Sequence, residues 1–139
     1  MPRGTTLIEL VVILGIVGTL AGIAFVPARR TLDRVRVRDA TASFAAACAI
    51  ARQAAISRSA NATVHVDTLP ARLTVVAGGD TIHRDDLSSR LGVSLSASAT
   101  TVAYAATGQG WGLANTRLIA RRGEAADTAT VSRLGRVRR

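Results

Sequence analysis

The chain has 139 residues, of which 48% are hydrophobic and 19% charged, a length that leaves room for one domain beyond a membrane anchor and excludes a multidomain protein. Eighteen basic residues, all arginine, stand against nine acidic ones, for a net charge of +9. Cys48 is the only cysteine, which excludes an intrachain disulfide.

Residues 4–26 form an apolar run that is long enough to cross a membrane and contains one carboxylate, Glu9. An ionised side chain in hydrocarbon costs about 2.5 to 3.5 kcal/mol even on lenient scales, so Glu9 is predicted to have a positive partner. The alternative to a positive partner is that Glu9 lies in the first turn of a helix, where the macrodipole stabilises an acidic side chain. A secretory signal peptide with cleavage near residues 22–24 is a competing interpretation, but this run is too long and carries an acid.

Helical spacing continues after the apolar run. Pro27 is predicted to end or kink the first helix, because proline lacks an amide hydrogen and its ring clashes with the preceding turn. From about residue 29 to residue 60, the pattern predicts an amphipathic continuation. Its buried face recurs at intervals of three and four residues, at Val37, Thr41, Phe44, Cys48, Ala51 and Ala55.

After Asn61 the pattern changes to short runs rich in β-branched residues, separated by glycines. A long amino-terminal helix followed by such runs predicts an α+β protein in which the helix packs on a mainly antiparallel sheet. The predicted strands are Thr63 to Val66, Leu73 to Val76, Thr81 to His83, Val93 to Leu95, Thr101 to Tyr104, Arg117 to Ala120 and Thr128 to Val131.

The carboxy-terminal segment is strongly basic. Between residues 117 and 139, seven arginines stand against Glu124 and Asp127, so the segment carries seven minus two, or +5. Guanidinium groups match phosphate oxygens, which makes nucleic acid one candidate ligand. The alternative is a solvated end, or one that pairs with acidic neighbours in an assembly. The candidate DNA-binding residues are Arg133, Arg136, Arg138 and Arg139.

Gly4, followed by Thr-Thr-Leu-Ile-Glu-Leu over residues 5–10, resembles the processing motif of type IV pilins and type II secretion pseudopilins. The resemblance implies that a prepilin peptidase cuts after Gly4 and methylates the new amino terminus at Thr5. It also implies that Glu9 pairs with the amino terminus of a neighbouring subunit during filament assembly. The family usually has Phe where this chain has Thr5.

Within the pilins, the chain resembles the GspH/FimT pseudopilins. The resemblance rests on Arg52 with residues 54–56, on the Thr101 to Gly108 segment followed by Trp111 and Gly112, and on residues 132–138. It implies a minor pseudopilin that supports secretion across the outer membrane. The alternative is a FimT-like minor type IV pilin that binds DNA during uptake, since residues 135–138 match the Gly-Arg-x-Arg element of such members.

The expected organisation is a leader at residues 1–4, a transmembrane half-helix at 5–28, an amphipathic half-helix at 29–60 and a periplasmic β-rich domain at 61–139. The expected partners are other pilins or pseudopilins, the prepilin peptidase and the bacterial inner membrane, with DNA in the alternative.

The arginines after the span favour a cytoplasmic location of the residues that follow it, by the positive-inside rule. The pilin resemblance favours the periplasm. A chance motif match in an ordinary single-pass protein is a third interpretation.

No catalytic function, metal or cofactor is expected. His65 and His83 have no accompanying cysteines at a recognised metal-ligand spacing. Asp85 and Asp86 are adjacent, but neighbours in an extended segment point to opposite faces. Nucleophile elbows, phosphate-binding loops and dinucleotide fingerprints are absent from the sequence.

Overall fold

The computed structural model describes residues 6–111 and 115–139, apart from the side chains of residues 23–26. The chain divides between Leu32 and Asp33 into two compact units. The elements in chain order are α1 (Leu7–Ser57), β1 (Ala62–Thr68), β2 (Ala71–Ala77), β3 (Asp80–Asp86), α2 (Leu87–Leu91), β4 (Ser94–Ala97), β5 (Thr101–Tyr104), β6 (Gly110–Trp111), β7 (Thr116–Arg122), β8 (Ala125–Val131) and β9 (Val137–Arg138).

Helix α1 has identifiable signals at both ends. The hydroxyl oxygen of Thr6 accepts a bond from the Glu9 backbone N–H at 3.4 Å, as an N-cap residue does. The helix continues through Pro27, so of the two predicted effects of this proline, an end or a kink, the end does not occur. One missing backbone hydrogen bond is tolerated within an otherwise long helix. Beyond its last turn, Ser59 adopts a positive φ of 47° and the Ala60 N–H bonds the Ala55 carbonyl, which closes the helix.

The amino-terminal part of α1 is apolar and exposed. By length and composition it could cross a membrane. Its described large side chains are exposed within the chain, and those of Leu7, Ile8, Leu14 and Leu20 are each more than 60% exposed. An apolar surface of this size needs lipid or a protein partner to cover it.

The strands form two antiparallel sheets, where the sequence had predicted a single one. The first sheet has five strands in the order β3-β2-β1-β5-β6, and the second has four in the order β4-β7-β8-β9. Hairpins join β1 to β2 in regular register and β2 to β3 with a register shift between Val75 and Val76, and a third joins β7 to β8 in regular register. At the tip of the last hairpin, Gly123 has a φ of +55°, a conformation that favours glycine.

The core of the second unit lies between α1 and the sheets. The predicted helical face is confirmed, since all six of its residues are buried. Strands contribute alternate residues to the same core, among them Val64, Leu73, Tyr104 and Leu118. Many helix positions in the core are alanine, including Ala40, Ala47, Ala51 and Ala55, and small side chains let a helix backbone approach the strands closely.

Arg122 connects three elements of the second unit. Its guanidinium donates to the Asp33 carboxylate on α1 at 2.7 Å. It also donates to the carbonyls of Leu91 and Gly92, at the carboxyl end of α2, at 2.6 and 2.8 Å. A cation at this end of a helix satisfies carbonyls that have no partner within the helix.

Candidate functional site

Glu9 lies in the first turn of α1, in the exposed apolar segment. Thr6 and Glu9 have the spacing of a capping box, in which the glutamate would bond back to the Thr6 N–H. Between these two described residues only the bond from the Glu9 backbone N–H to the Thr6 hydroxyl is present. Within the described residues, the Glu9 carboxylate therefore does not complete a capping box with Thr6. Gly4 and Thr5, the predicted processing residues, lie outside the described residues.

The four predicted DNA-binding arginines lie at the carboxyl end of the second sheet. A turn over residues 132–136 is closed by two backbone bonds, from Gly135 N–H to Ser132 O and from Ser132 N–H to Arg136 O, both 2.8 Å. The Ser132 hydroxyl also accepts from the Arg136 N–H at 3.1 Å. Strand β9 then pairs with β8, with Val137 opposite Val131.

Alternate side chains around strand β9 point to opposite faces of the sheet. Val137 is half-buried, whereas Arg136 and Arg138 on either side of it are exposed. Arg133 and Arg139 are exposed as well. Four ion pairs of the second unit involve other arginines, namely Arg58, Arg72, Arg90 and Arg122. The structure thus brings the four predicted arginines to one exposed end.

Tyr104 and Cys48 lie beneath this turn. The Tyr104 hydroxyl donates to the Gly135 carbonyl at 3.2 Å in a buried setting. Burial raises the pKa of the Cys48 thiol to about 11, and the neighbouring Tyr104 side chain opposes the rise without cancelling it. Burial, chiefly, also raises the pKa of Tyr104. Both groups are neutral at physiological pH, and the bond from Tyr104 to Gly135 connects the turn to the core.

A groove of about 380 Å³ lies between α1 and the carboxy-terminal element. We call it the Arg52–Arg136 groove after the two arginines that line it. Ala45 and Ala49 of α1 line it together with Tyr104 and Gly135. In the sequence, Arg52 contributes only to the family resemblance. Positions 52 and 136 are far apart in the chain, so no local pattern could have placed them on one groove.

The remaining polar candidates have structural positions. His65 lies in β1 and His83 in β3, and no group of three potential metal ligands occurs among the described residues. Asp85 forms an ion pair with Arg90 at 2.6 Å. Asp86 caps α2 by accepting from the Ser89 N–H at 3.0 Å. The role of these two acids in starting a short helix was not predicted from the sequence.

No protein-family model matches the chain, and no curated protein matches it. Solved structures do resemble it. The type IV minor pilin FimU of Pseudomonas aeruginosa is 14% identical, with a TM-score of 0.62, over 76% of this chain and 88% of that one. The minor pseudopilin EpsH of the Vibrio cholerae type 2 secretion system is 16% identical, with a TM-score of 0.60, over 74% of this chain and 94% of that one. This chain therefore has the pilin-like α+β fold of these minor pilins and pseudopilins, with a long amino-terminal helix packed on antiparallel β-structure.

Proposed function

We propose that this chain is a minor pilin-like subunit, working as a structural component of a type II secretion pseudopilus. The observation that carries the proposal is Glu9, the one acidic residue in the apolar run of residues 4–26 in a chain with a pilin-like fold. The precursor would sit in the inner membrane with residues 33–139 in the periplasm, and the prepilin peptidase would cut after Gly4 and methylate Thr5.

Glu9 carries a charge that must be compensated when the subunit assembles. A carboxylate that moves from the membrane into a packed helical bundle loses solvation, and an opposite charge must compensate. Cutting after Gly4 would create an ammonium group at Thr5, close to the depth of Glu9. Pairing between the Glu9 carboxylate of one subunit and the Thr5 ammonium of its neighbour would neutralise both charges and fix the axial position of the subunit.

The test replaces Glu9 with leucine in the full chain, expressed with its own filament machinery. We expect cleavage after Gly4 to proceed, as read by the mass of the mature amino terminus. We also expect co-purification with the other filament subunits to fall roughly tenfold or more, because an unpaired ammonium remains in the bundle.

Thr19→Leu is the matched control. It removes a polar group from the same segment but no charge, and the Thr19 hydroxyl bonds only the Ile16 carbonyl of its own helix among the described residues. The control should assemble normally. Normal assembly of Glu9→Leu would remove Glu9 from the mechanism and with it the basis of the proposal.

A second candidate function is DNA capture by a minor type IV pilin. The exposure of Arg133, Arg136, Arg138 and Arg139 at one end of the second sheet favours it. Phosphate contacts from such a cluster would be independent of sequence and steeply dependent on salt. Base stacking would contribute little, since the chain has only four aromatic residues.

The test is a salt titration of duplex DNA binding by the full chain in non-ionic micelles. Replacing Arg136 and Arg138 with glutamine should weaken binding and lower the salt slope by roughly two, about one for each lost phosphate contact. The matched control replaces Arg117 and Arg121, two exposed arginines on β7, with glutamine. Equal binding by wild type and the Arg136/Arg138 variant would exclude this candidate.

A further inference from the structure

The Arg52–Arg136 groove combines an apolar lining with positive charge. Ala45 and Ala49 lie four residues apart on the same flank of α1 and present only methyl groups to the groove. Both arginines are exposed, and neither forms an ion pair with a carboxylate in the described part of the chain. The groove thus carries two guanidinium groups without acidic partners beside an apolar surface.

Arg52 is held near the groove by its neighbours. Its Nε lies about 3.5 Å from the position that a Cβ on Gly108 would occupy, so the loop before β6 approaches α1 closely here. The charge of Arg52 also acts on Tyr104, whose pKa it lowers against the dominant rise caused by burial. On the opposite side, the backbone of Arg136 is fixed through both its N–H and its carbonyl by bonds to Ser132. The two guanidinium groups therefore project from ordered backbone.

The volume, apolar lining and charge of the groove indicate which kind of ligand it can bind. A volume of about 380 Å³ admits one or two side chains. A glutamate-like side chain would contact all parts of the groove. Its hydrocarbon part would pack against the alanines, and its carboxylate oxygens would accept hydrogen bonds from the guanidinium groups. The phosphates of duplex DNA lie on a wide convex surface and would contact the arginines without filling the space between α1 and β9.

We propose that the Arg52–Arg136 groove binds an acidic side chain, flanked by apolar residues, from a neighbouring protein subunit. The inference rests on the proposed function in one respect, because a filament is what brings such a neighbour to this flank of α1. It adds a contact outside the membrane to the Glu9 contact within it. The partner carboxylate lies between Arg52 and Arg136 and its apolar neighbours cover Ala45 and Ala49.

The test measures peptide binding to the groove in the absence of a filament. The full chain, labelled with ¹³C at alanine methyls and held in non-ionic micelles, is titrated with acetyl-Leu-Glu-Leu-amide and with the isosteric acetyl-Leu-Gln-Leu-amide. We expect saturable shifts of the Ala45 and Ala49 methyls and none of the Ala46 methyl, which lies on an exposed part of α1 outside the groove. The glutamine peptide should bind roughly tenfold more weakly, as expected from the loss of charge-assisted hydrogen bonds.

Two kinds of variant separate charge from shape. Arg52→Gln and Arg136→Gln should each weaken binding of the glutamate peptide roughly tenfold. Arg84→Gln removes an exposed arginine of β3 and should leave binding unchanged. Ala49→Leu fills the groove and retains both charges, so it should abolish the shifts of Ala45. Ala46→Leu, the matched control on the same helix, should not.

Four outcomes would overturn the inference: no binding of the glutamate peptide, equal binding of the two peptides, binding that survives Ala49→Leu, or shifts of the Ala45 and Ala49 methyls produced by duplex DNA at lower concentration than by the glutamate peptide. The last would assign the groove to nucleic acid. Failure of peptide binding together with loss of assembly in Glu9→Leu would reject the groove and keep the proposed function. Normal assembly of Glu9→Leu would reject the proposed function whatever the peptides do.

Discussion

At the scale of single residues, Cys48 shows how burial controls chemistry. The thiol is 1% exposed, and its pKa of about 11 compares with an ordinary value of 9.0. A rise of this size lowers the thiolate fraction near pH 8 roughly a hundredfold, and the thiolate is the nucleophile. Cys48 is therefore a packing residue of the core, as its alanine-rich surroundings suggest.

We expect alkylation of Cys48 by iodoacetamide at pH 8 to be at least about a hundredfold slower in the native chain than in the unfolded chain, because burial adds steric exclusion to the loss of thiolate. The rate should keep rising with pH beyond pH 9. A chain with Cys48→Ala and Ala46→Cys provides an exposed thiol on the same helix and should react as the unfolded chain does. Rapid native alkylation of Cys48 would show that the core beneath the turn at Gly135 opens readily.

At the scale of elements, α2 depends on one carboxylate. Asp86 bonds the Ser89 N–H and lies 3.3 Å from the Arg72 guanidinium. The Ser89 backbone bond, more than Arg72, lowers the pKa of Asp86 below its ordinary value of 3.8. A lowered folded-state pKa means that the ionised form stabilises the helix at pH values above 3.8, and that this contribution is lost as the pH falls through the folded-state value.

We expect the amide of Ser89 to lose protection from hydrogen exchange as the pH falls below about 3.8, after correction for the intrinsic exchange rate, while core amides such as that of Leu118 keep theirs. Asp86→Asn retains an N-capping side chain without a charge and should remove the pH dependence in this range. Asp86→Ala should lower protection at every pH. A pH dependence that persists in Asp86→Asn would assign it to another acid.

The elements also show what the sequence could and could not predict. Local periodicity located α1 and seven strands, and Thr101–Tyr104 has its predicted bounds. Strands Gly110–Trp111 and Val137–Arg138 were missed because two residues carry no periodic signal and form only by pairing with a partner strand. Helix α2 was missed because five residues are too few for a helical repeat. The Arg52–Arg136 groove depends on tertiary contact and leaves no sequence signal.

At the scale of the whole chain, the sequence contains opposing signals for membrane orientation. Five arginines fall between residues 29 and 38, directly after the apolar segment, whereas only Arg3 precedes it. The positive-inside rule would keep this side in the cytoplasm. The proposed function requires the opposite orientation, with residues 33–139 in the periplasm, where the filament would assemble.

We expect alkaline phosphatase fused after Arg139 to be active in a cell that carries the filament machinery, because that enzyme folds only in an oxidising compartment. A green fluorescent protein at the same position serves as the reciprocal control and should be dark. A variant with two additional arginines before Leu7 should leave the phosphatase activity unchanged or raise it, since it shifts the charge balance toward the same orientation. An inactive phosphatase with bright fluorescence would place the β-rich unit in the cytoplasm. Neither Glu9 nor the Arg52–Arg136 groove could then meet a periplasmic filament.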